Sequence, residues 1–549
     1  MPADAYLALA ERQAGKEKQS LELMAAGRLI YDGQWQAGQR LLSHIVPVNI
    51  VLKDEKNLLL AKSYLLRIQP RAAIQCLSNI KDISTLPIYY QVQYHDMLAY
   101  AYQSIQQYGA SVRERIKLDS LLPDVQSKDN NLRALWLALI TIPDTELRMM
   151  SMEIDHHTLF SGWINLALIA RKNYPNGAGM LSDIELWKSA YPAHPAESLF
   201  PKSVETLAPI LSPKPKHIAL LLPLSGPLAG PGGAIRDGLM AAYDASGTSA
   251  FVSVRAYDTY NYSPTKLYQR AIDQGADFII GPLSKPDVAQ VSALAHPVPM
   301  ILLNEVDSKS KSYTFGLSPA NEARQIAARA RQQGYKKALM IVPDGAWGEE
   351  VLRAFALHWH SQGGSIIDTL HYGQTKDLNN SIRQLLHVSS ETSINNSGKD
   401  LKQNVDVPLR RQDFDVIILV AYPSVARQIV PLIKYYYAGN VPIYATSNIY
   451  AGSPNAMKDR DLDGVIFCDM PWMFQVHNLS VRNWPEPLNS YTRLYALGMD
   501  SYLLSQRLNA LLFFPALGLN DLVVYLSGGH HITRMLVFGQ FRQGLVARI

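Results

Sequence analysis

Cysteine is scarce in this sequence, and its scarcity excludes two classes of protein. The 549 residues contain only Cys76 and Cys468, which are too few and too far apart for a fold held by a disulfide framework. No CxxC pair or Cys/His spacing typical of a zinc site is present. Such cysteine usage fits the cytosol and the periplasm equally well.

Long apolar runs are missing as well. No stretch of about 18 consecutive apolar residues occurs, so no transmembrane helix is predicted. The opening residues, MPADAYLALAERQAGKEKQS, lack the basic and apolar regions of a signal peptide and are predicted to enter a helix directly. This start predicts either a cytosolic protein or the mature form of an exported one.

The chain also lacks an excess of charge of one sign. Its 52 Lys and Arg residues are interspersed with 47 Asp and Glu residues, giving a net charge of +5. The strongest basic cluster, Lys214 and Lys216, is too small for a nucleic-acid footprint. A hydrophobic fraction of 48% and a charged fraction of 18% indicate an ordinary globular protein. At roughly 150 residues per domain, the length predicts about three or four domain-sized units.

Catalytic motifs are absent from the sequence. It contains no GxSxG, no Walker loop and no HExxH. Histidines that are close in sequence are predicted to point to different faces of their elements; they are His156 and His157, His358 and His360, and His530 and His531. We therefore predict a non-enzymatic protein without catalytic residues, metal ligands or a cofactor.

The first 191 residues are predicted to form helix pairs. Small residues recur at intervals of 33 to 38 residues, close to the 34-residue period of tetratricopeptide repeats, in which a small side chain lets two helices approach. These residues are Ala26, Ala61, Ala99, Ala134 and Ala167. The pattern predicts an all-α, tetratricopeptide-like solenoid over residues 1–191, and an irregular helical bundle is the alternative. Such stacks usually bind proteins.

Residues 192–215 are predicted to be a linker. Prolines occur in this segment at positions 192, 195, 201, 209, 213 and 215. Because proline removes a hydrogen-bond donor and fixes φ, neither a helix nor a central strand can continue through the segment. Its proline density indicates a semi-stiff spacer.

Residues 216–549 are predicted to alternate between strands and helices. Continuous apolar runs such as MILL and VIILVAY are typical of buried parallel strands, and the spacing is that of βαβ units. Strands are predicted at 217–222, 251–258, 277–283, 298–304, 337–344, 365–372, 415–422, 441–447 and 464–470. The length of the region predicts two lobes. The polar segment 387–412 is predicted to be a surface insertion.

The stretch HIALLLPLSGPLAGPGGAIRDGLMAAYDASG (217–247) contains a strand, a Gly/Pro-rich loop and a helix. In a parallel α/β sheet, such loops lie at the carboxyl ends of the strands, where ligands bind. The stretch therefore predicts an α/β domain with a cleft, which can be occupied or empty.

Several motifs of residues 216–549 resemble the two-lobed type I periplasmic-binding-protein fold of branched-chain amino-acid receptors. They are LLPLSGPLAGPGGAIRDG, FIIGPLSKPDV, TFGLSPANEARQIA, LMIVPDGAWGEEVLRAF, DFDVIILVAYPSVARQI, PIYATSNIY and YALGMDSYLL. Together with the helical half, essentially the whole chain resembles the LpoA-type penicillin-binding-protein activators.

This resemblance implies a periplasmic lipoprotein that is attached to the outer membrane and stimulates the transpeptidase activity of a class A penicillin-binding protein. It also implies a lipid-modified cysteine at the mature N-terminus. Met1 stands there instead, so we expect a chain trimmed just after the anchoring cysteine. The partners expected are the peptidoglycan synthase and, through the missing anchor, the outer membrane, with no nucleic acid.

Comparison with solute receptors of this fold gives candidate cleft residues. Receptors hold ligands with hydroxyl and backbone N–H groups at strand ends, and the corresponding positions here are Ser225, Asn304, Trp347 and Tyr422. Glu305, next to Asn304, would repel the α-carboxylate of an amino acid. The open alternatives are an amino-acid site, a site for another small ligand, or an empty or protein-binding cleft.

The segment CDMPWMFQVHNLSVRNWPEP (468–487) supplies a candidate partner surface. Its aromatic residues Trp472, Phe474 and Trp484 are of the types that anchor protein interfaces, although packing within a lobe explains them equally well. The sequence thus favours a non-enzymatic activator of peptidoglycan synthesis, and the alternative is a periplasmic solute receptor or ligand sensor that uses the cleft.

Overall fold

The chain forms two compact units, each built from discontinuous segments. One unit contains Met1–Leu317 and Arg493–Met535, and the other contains Ser318–Thr492 and Leu536–Ile549. This computed structural model describes all residues except 156–157, 173, 175, 201–212, 248–249, 307–311, 374–376, 389–409, 476–489, 520–521 and 529. Among the described helices, none has both the length and the apolar character needed to cross a bilayer.

The helical half begins with a short helix and continues as five consecutive helix pairs. The helices are α1 (Ala3–Ala10), α2 (Gly15–Tyr31), α3 (Trp35–His44), α4 (Ile50–Leu66), α5 (Pro70–Ser78), α6 (Ile88–Ser104), α7 (Tyr108–Leu121), α8 (Val125–Ile140), α9 (Asp144–Glu153), α10 (Leu159–Arg171) and α11 (Gly177–Ala190). Each predicted small residue lies on the first helix of a pair. The side chains of Ala26, Ala61, Ala99 and Ala167 are fully buried. The tetratricopeptide-like prediction is therefore confirmed.

Polar side chains at the helix starts explain several of these boundaries. The side chains of Asn49 and Asp124 accept hydrogen bonds from backbone N–H groups in the first turns of α4 and α8. Thr158 and Ser161 form a reciprocal capping box at the start of α10. Caps of this kind satisfy N–H groups that have no partner within the helix, and each typically stabilises by about 1 kcal/mol.

The α/β region contains two sheets. Its elements are β1 (His217–Leu222), α12 (Ala229–Ala245), β2 (Ser253–Asp258), α13 (Pro264–Asp273), β3 (Phe278–Ile280), α14 (Lys285–Ser292), β4 (Met300–Leu302), β5 (Ser312–Thr314), α15 (Pro319–Gln332), β6 (Lys337–Pro343), α16 (Ala346–Ser361), β7 (Ser365–Tyr372), α17 (Leu378–Leu385), β8 (Val416–Leu419), α18 (Pro423–Ile433), β9 (Ile443–Ala445), β10 (Ile466–Asp469), α19 (Ser490–Phe513), β11 (Leu517–Leu519), β12 (Leu522–Ser527), β13 (His531–Met535), β14 (Val537–Arg542) and β15 (Leu545–Arg548).

Both sheets have a parallel core extended by strands from the end of the chain. In the first sheet, β13 pairs with β5 in parallel, and β12 and then β11 are added antiparallel. In the second sheet, β14 and β15 are added antiparallel. The strand order is β11-β12-β13-β5-β4-β3-β1-β2 in the first sheet and β15-β14-β10-β9-β8-β6-β7 in the second. Each of the nine predicted strands is present with shorter or equal bounds. The two-lobed α/β prediction is confirmed. Strand β5 and the strands after residue 516 were not predicted.

The helical half and the first sheet share one hydrophobic core. The indole ring of Trp136 on α8 stacks on Phe514 with the ring centroids 5.2 Å apart. The indole N–H of Trp136 also donates to the carbonyl oxygen of Ala516, at 2.9 Å. Because burial of large aromatic side chains supplies much of the stability of a core, these contacts make the helical half and the first sheet one folded body.

Two glycines allow helices α12 and α19 to cross at close range. A Cβ atom added at Gly238 would lie 1.9 Å from the carbonyl oxygen of Tyr495, and one added at Gly498 would lie 2.0 Å from that of Ile235. Any side chain at either position would therefore force the helices apart. The motif ALGMDSYLL thus contributes a backbone-to-backbone contact to the first unit.

The predicted linker and insertion are only partly within the described residues. A short 3-10 helix occupies Pro195–Leu199, and the ring of Phe200 packs edge-on against Phe514. Residues 201–212 of the linker and 389–409 of the insertion lie outside the described part of the chain. The domain boundaries at 191 and 215 and the insertion at 387–412 remain predictions.

Candidate ligand-binding and partner-binding residues

Ser225, in the loop after β1, is bound within its own lobe. Its hydroxyl donates to a carboxylate oxygen of Asp258, at the end of β2, over 2.5 Å. The same hydroxyl oxygen accepts a hydrogen bond from the side-chain amide of Asn261. The backbone N–H groups of Leu224 and Tyr260 also donate to Asp258, at 2.9 and 3.1 Å. Asp258 therefore organises the loop in which Ser225 lies.

The carboxylate of Asp258 is stabilised in its charged form. Burial pushes its pKa upward, but the hydrogen bonds from the Ser225 hydroxyl and from backbone N–H groups outweigh burial, so the pKa lies below its ordinary value. A serine that donates to an ionised carboxylate has no proton left to offer an anionic ligand. The arrangement suits a fixed loop better than a receptor for carboxylates.

Asn304, which follows β4, is likewise held by neighbouring loops. Its side-chain N–H donates to the carbonyl oxygen of Leu283 at 3.1 Å, and its side-chain oxygen accepts from the N–H of Glu305 at 3.0 Å. These bonds tie together the loops that follow β3 and β4. Glu305 itself is exposed.

Trp347 and Tyr422 form an aromatic pair in the second unit. Trp347 lies in the first turn of α16, and Tyr422 immediately precedes α18. Their ring centroids are 4.8 Å apart, and 54% of the surface of Tyr422 is exposed. Since α16 follows β6 and α18 follows β8, which are neighbours in the sheet, the pair lies at the carboxyl ends of two adjacent parallel strands, the edge at which α/β sheets bind ligands.

A buried tyrosine, Tyr372, lies next to this edge of the second sheet. The hydroxyl of Tyr372 donates to the carbonyl oxygen of Val420 at 2.8 Å. Burial, with a contribution from Tyr422, raises the pKa of Tyr372 well above its ordinary value, so this hydroxyl stays protonated. Of the four predicted cleft residues, the structure brings Trp347 and Tyr422 together, while Ser225 and Asn304 belong to the other unit.

The candidate partner residues Trp472 and Phe474 lie in a short 3-10 helix after β10. Phe474 stacks on Phe467 with centroids 5.7 Å apart. Its ring also fills the space above Gly539, where a Cβ would lie 2.2 Å from it. Both Trp472 and Phe474 are half-buried. Trp484 lies outside the described residues, and the partner surface stays a prediction.

A buried ion pair in the first unit was not predicted from the sequence. The guanidinium of Arg534 on β13 lies 3.7 Å from Asp500 on α19, donates to the carbonyl oxygen of Gly316 and covers the ring of Phe315. Burial raises the pKa of Asp500 to about 6, against the opposing effect of Arg534. Burial also lowers the pKa of Arg534, to about 10. Both residues belong to the first unit, and Arg534 directly precedes the last residue of that unit, Met535.

The described residues contain no group of three or more His, Cys, Asp or Glu side chains placed to hold a metal ion. The two histidines of α16 are hydrogen-bonded to neighbouring groups. His358 bonds the side chain of Gln362, and His360 bonds the carbonyl oxygen of Gly364. His156 and His157 lie outside the described part of the chain.

Residues 1–544 match the family described as LppC putative lipoprotein. The chain belongs to this family. The match spans both the helical half and the two-lobed half, so the resemblance noted in the sequence is confirmed.

Curated relatives cover most of the chain. A protein of Photobacterium profundum named penicillin-binding protein activator LpoA is 27% identical over 515 residues, which cover 90% of this chain and 83% of that protein. A protein of the same name from Edwardsiella ictaluri is 24% identical and covers 100% of this chain and 93% of its own length.

A solved structure shares the fold. Full-length LpoA from Haemophilus influenzae matches with a TM-score of 0.52 and 22% identity, covering 100% of this chain and 98% of that one. A likeness of this size establishes the architecture of helical repeats followed by a two-lobed α/β region.

Sequence reasoning missed the residues that fix the first-lobe loop. Asp258 ends a predicted strand, and Asn261 lies in the polar stretch after it. An acidic residue at the carboxyl end of a predicted parallel strand was the available signal, because the carboxyl ends of neighbouring strands meet at one edge.

Proposed function

We propose that this chain is a non-enzymatic activator that binds a class A penicillin-binding protein and raises its transpeptidase activity. We further propose that its parent is held at the outer membrane by a lipid on an N-terminal cysteine. The observation that carries the proposal is the family match over residues 1–544. Relatives that cover most of the chain are named penicillin-binding protein activators, which supports it.

The geometry of the first lobe supports a protein-binding role over solute capture. The Ser225 hydroxyl and the Asn304 amide are both engaged by groups of their own lobe. A receptor for amino acids needs such groups to be available to the ligand, because burying a ligand carboxylate without donors is costly. The exposed Glu305 adds repulsion.

Activation of this kind requires differential binding. An activator raises the rate by binding the active conformation of the synthase more tightly than the inactive one. A tenfold shift in the ratio of the two populations needs about 1.4 kcal/mol of differential affinity. We assign this binding to the α/β region and a spacing role to the helical repeats.

The proposal is tested by measuring peptide cross-linking by a purified class A synthase on lipid-linked precursor, with and without the full chain. A cross-linking rate that rises with added chain supports the proposal. A solute receptor of the same fold serves as the control for non-specific effects of added protein. No rise with any cognate synthase overturns the proposal.

The full chain is needed for this assay. Removal of residues 1–215 would take away Trp136 and expose Phe514 and the other apolar side chains of the shared core. Loss of activity in a truncated chain would then report misfolding rather than loss of a binding surface.

The second candidate function is a ligand sensor, and the observation in its favour is the pairing of half-buried Trp347 with exposed Tyr422. Aromatic side chains at strand ends are common in small-molecule sites. A ligand that binds there would raise the unfolding temperature and change the fluorescence of Trp347. Amino acids, short peptides and sugars that leave both signals unchanged would remove this candidate.

A further inference from the structure

A groove between helices α15 and α16 of the second unit has features of a docking site. It has a volume of about 410 Å³ and is lined by residues of both helices. Its apolar surface comes from Ala320, Ala354 and Leu357. The Leu357 side chain is 69% exposed, so it is available to pack against an apolar side chain of a partner.

The groove carries an excess of positive charge. Arg324 on α15 and Arg353 on α16 line it and are exposed. Within the described part of the chain neither guanidinium has a carboxylate partner. Glu350 is the one carboxylate among the lining residues. Burial lowers the pKa of His358, and the charge of Arg324 lowers it further, so His358 is neutral at pH 7.

A third arginine adds to this potential. Arg331, also on α15, donates to the carbonyl oxygens of Gln362 and Tyr335. Its charge also acts on the carboxylate of Asp415, where it opposes the rise in pKa caused by burial, so only part of that charge adds to the potential of the groove. The α15–α16 face therefore offers complementary charge to an acidic partner.

The first unit contains the corresponding helix pair with its face covered. Helix α19 enters that unit and packs on α12, the helix that follows its first strand, as α15 packs on α16. The later part of α19 is covered by the helical half: Arg507 donates to the carbonyl oxygen of Arg171, and the ring of Phe514, just after the helix, stacks on Trp136. In the first unit, the helix pair that corresponds to α15–α16 therefore packs against other helices of the chain.

We propose that the α15–α16 groove docks an acidic segment of the partner synthase, one that presents at least two carboxylates beside an apolar side chain. This proposal rests on the proposed function. The carboxylates pair with Arg324 and Arg353, and the apolar side chain covers Leu357.

The open form of the groove favours a protein segment over a small anion. An exposed ion pair contributes little by itself, because water and salt screen it. A protein segment that forms two ion pairs and one apolar contact at the same time gains binding free energy from all three interactions. A small ligand with a single carboxylate would gain only one pair.

The test measures the affinity of the full chain for the purified class A synthase. The main variant is the double charge reversal R324E/R353E, and a second variant, L357S, removes the apolar contact. Arg460→Glu is the matched control, since Arg460 is an exposed arginine of the same unit on a short helix that packs against α18. All the substituted side chains are exposed, so the variants should unfold at temperatures close to that of the native chain.

We expect the double reversal to raise the dissociation constant at least tenfold, L357S about threefold, and the control less than twofold. Raising the salt concentration from 50 to 300 mM should weaken native binding and affect the double variant much less. If the native chain and the double variant bind the synthase equally well, the groove is not the docking site, and the proposed function is unaffected.

Two further outcomes separate the remaining possibilities. If the native chain binds no synthase, the proposed function fails and this proposal fails with it. If soluble stem peptide or anionic lipid vesicles compete fully with the synthase, the occupant is not an acidic protein segment and the proposal is overturned.

Discussion

The two sheets of this chain share one plan and differ in their surroundings. The parallel cores have the same strand order, β2-β1-β3-β4-β5 and β7-β6-β8-β9-β10. In the first, the carboxylate of Asp277 accepts hydrogen bonds from the backbone N–H groups at residues 216 and 217. In the second, Asp415 does the same at residues 336 and 337.

The turn after the first strand is also repeated. In the first lobe, a Cβ at Gly232 would lie 2.1 Å from the carbonyl oxygen of Pro223. In the second, a Cβ at Gly348 would lie 2.0 Å from that of Pro343. Both lobes thus bring a helix start against a strand end so closely that only glycine fits.

The difference between the lobes lies in what their outer groups contact. The first shares a core with the helical half, and its strand-end polar groups bind one another. The second keeps an aromatic pair, half-buried Trp347 and exposed Tyr422, and two exposed arginines, Arg324 and Arg353, on its helices. The first lobe therefore packs against the helical half of the same chain, whereas we propose that the equivalent surface of the second lobe binds a partner protein.

The largest expected effect concerns the shared core. Replacement of Trp136 by alanine should lower the free energy of unfolding of the first unit by about 3–5 kcal/mol, because a large buried ring and its hydrogen bond are lost. Hydrogen exchange monitored by mass spectrometry should show lost protection at residues 510–519. Trp359→Ala, the control in the second unit, should spare those residues. A loss below about 1 kcal/mol would contradict a shared core.

The next effect concerns pH. Since burial raises the pKa of Asp500 to about 6, the folded state binds more protons than the unfolded state between pH 4 and 6, and this group lowers stability as pH rises through that window. Asp500→Asn removes this dependence. The unfolding free energy of the variant relative to the native chain should therefore rise by roughly 2 kcal/mol from pH 4 to pH 7.

Asp258→Asn provides the control with the opposite sign for that measurement. The pKa of Asp258 lies below its ordinary value, so its contribution is present at neutral pH and is lost as pH falls below about 4. An Asp500→Asn variant whose difference from the native chain is constant from pH 4 to 7 would disprove the raised pKa.

A somewhat smaller effect is expected at the crossing of α12 and α19. Gly238→Ala places a methyl group against the carbonyl oxygen of Tyr495 and should cost about 2 kcal/mol or more of unfolding free energy. Gly233 on the same helix has open space around it. Gly233→Ala should stabilise by about 0.5–1 kcal/mol. Chemical denaturation of both variants measures this contrast, and equal effects would refute the close crossing.

The smallest effect is expected at the two equivalent carboxylates, Asp277 of the first lobe and Asp415 of the second. Asp277→Ala should destabilise the first unit by about 1.5 kcal/mol, because backbone N–H groups lose a charged acceptor. Asp415→Ala should cost less in the second unit, since burial raises the pKa of Asp415 and offsets part of the gain from its hydrogen bonds. Thermal unfolding of the two variants compares them. A larger loss at Asp415 would contradict this order.

The parallel cores were predictable because their strands are continuous apolar runs. Runs such as 217–222 and 415–419 are buried on both faces and leave little ambiguity. The final strands, from Leu517 onward, follow one another without intervening helices and contain polar residues, so the βαβ pattern did not indicate them.

The candidate site was predictable only in part. The motif GAWGEE placed Trp347 at a strand end, as found. The hydrogen bond between Ser225 and Asp258 joins residues 33 apart in sequence, and the contact between Trp136 and Ala516 joins residues 380 apart. Contacts at such separations depend on tertiary packing, which local patterns do not encode.

Whether this chain activates the synthase is best decided by titrating the cross-linking rate against the concentration of the full chain at fixed synthase concentration. We expect a saturable rise in rate whose midpoint equals the dissociation constant measured by direct binding. Binding without any change in rate, or a rate that does not respond at any concentration, would contradict the proposed activation.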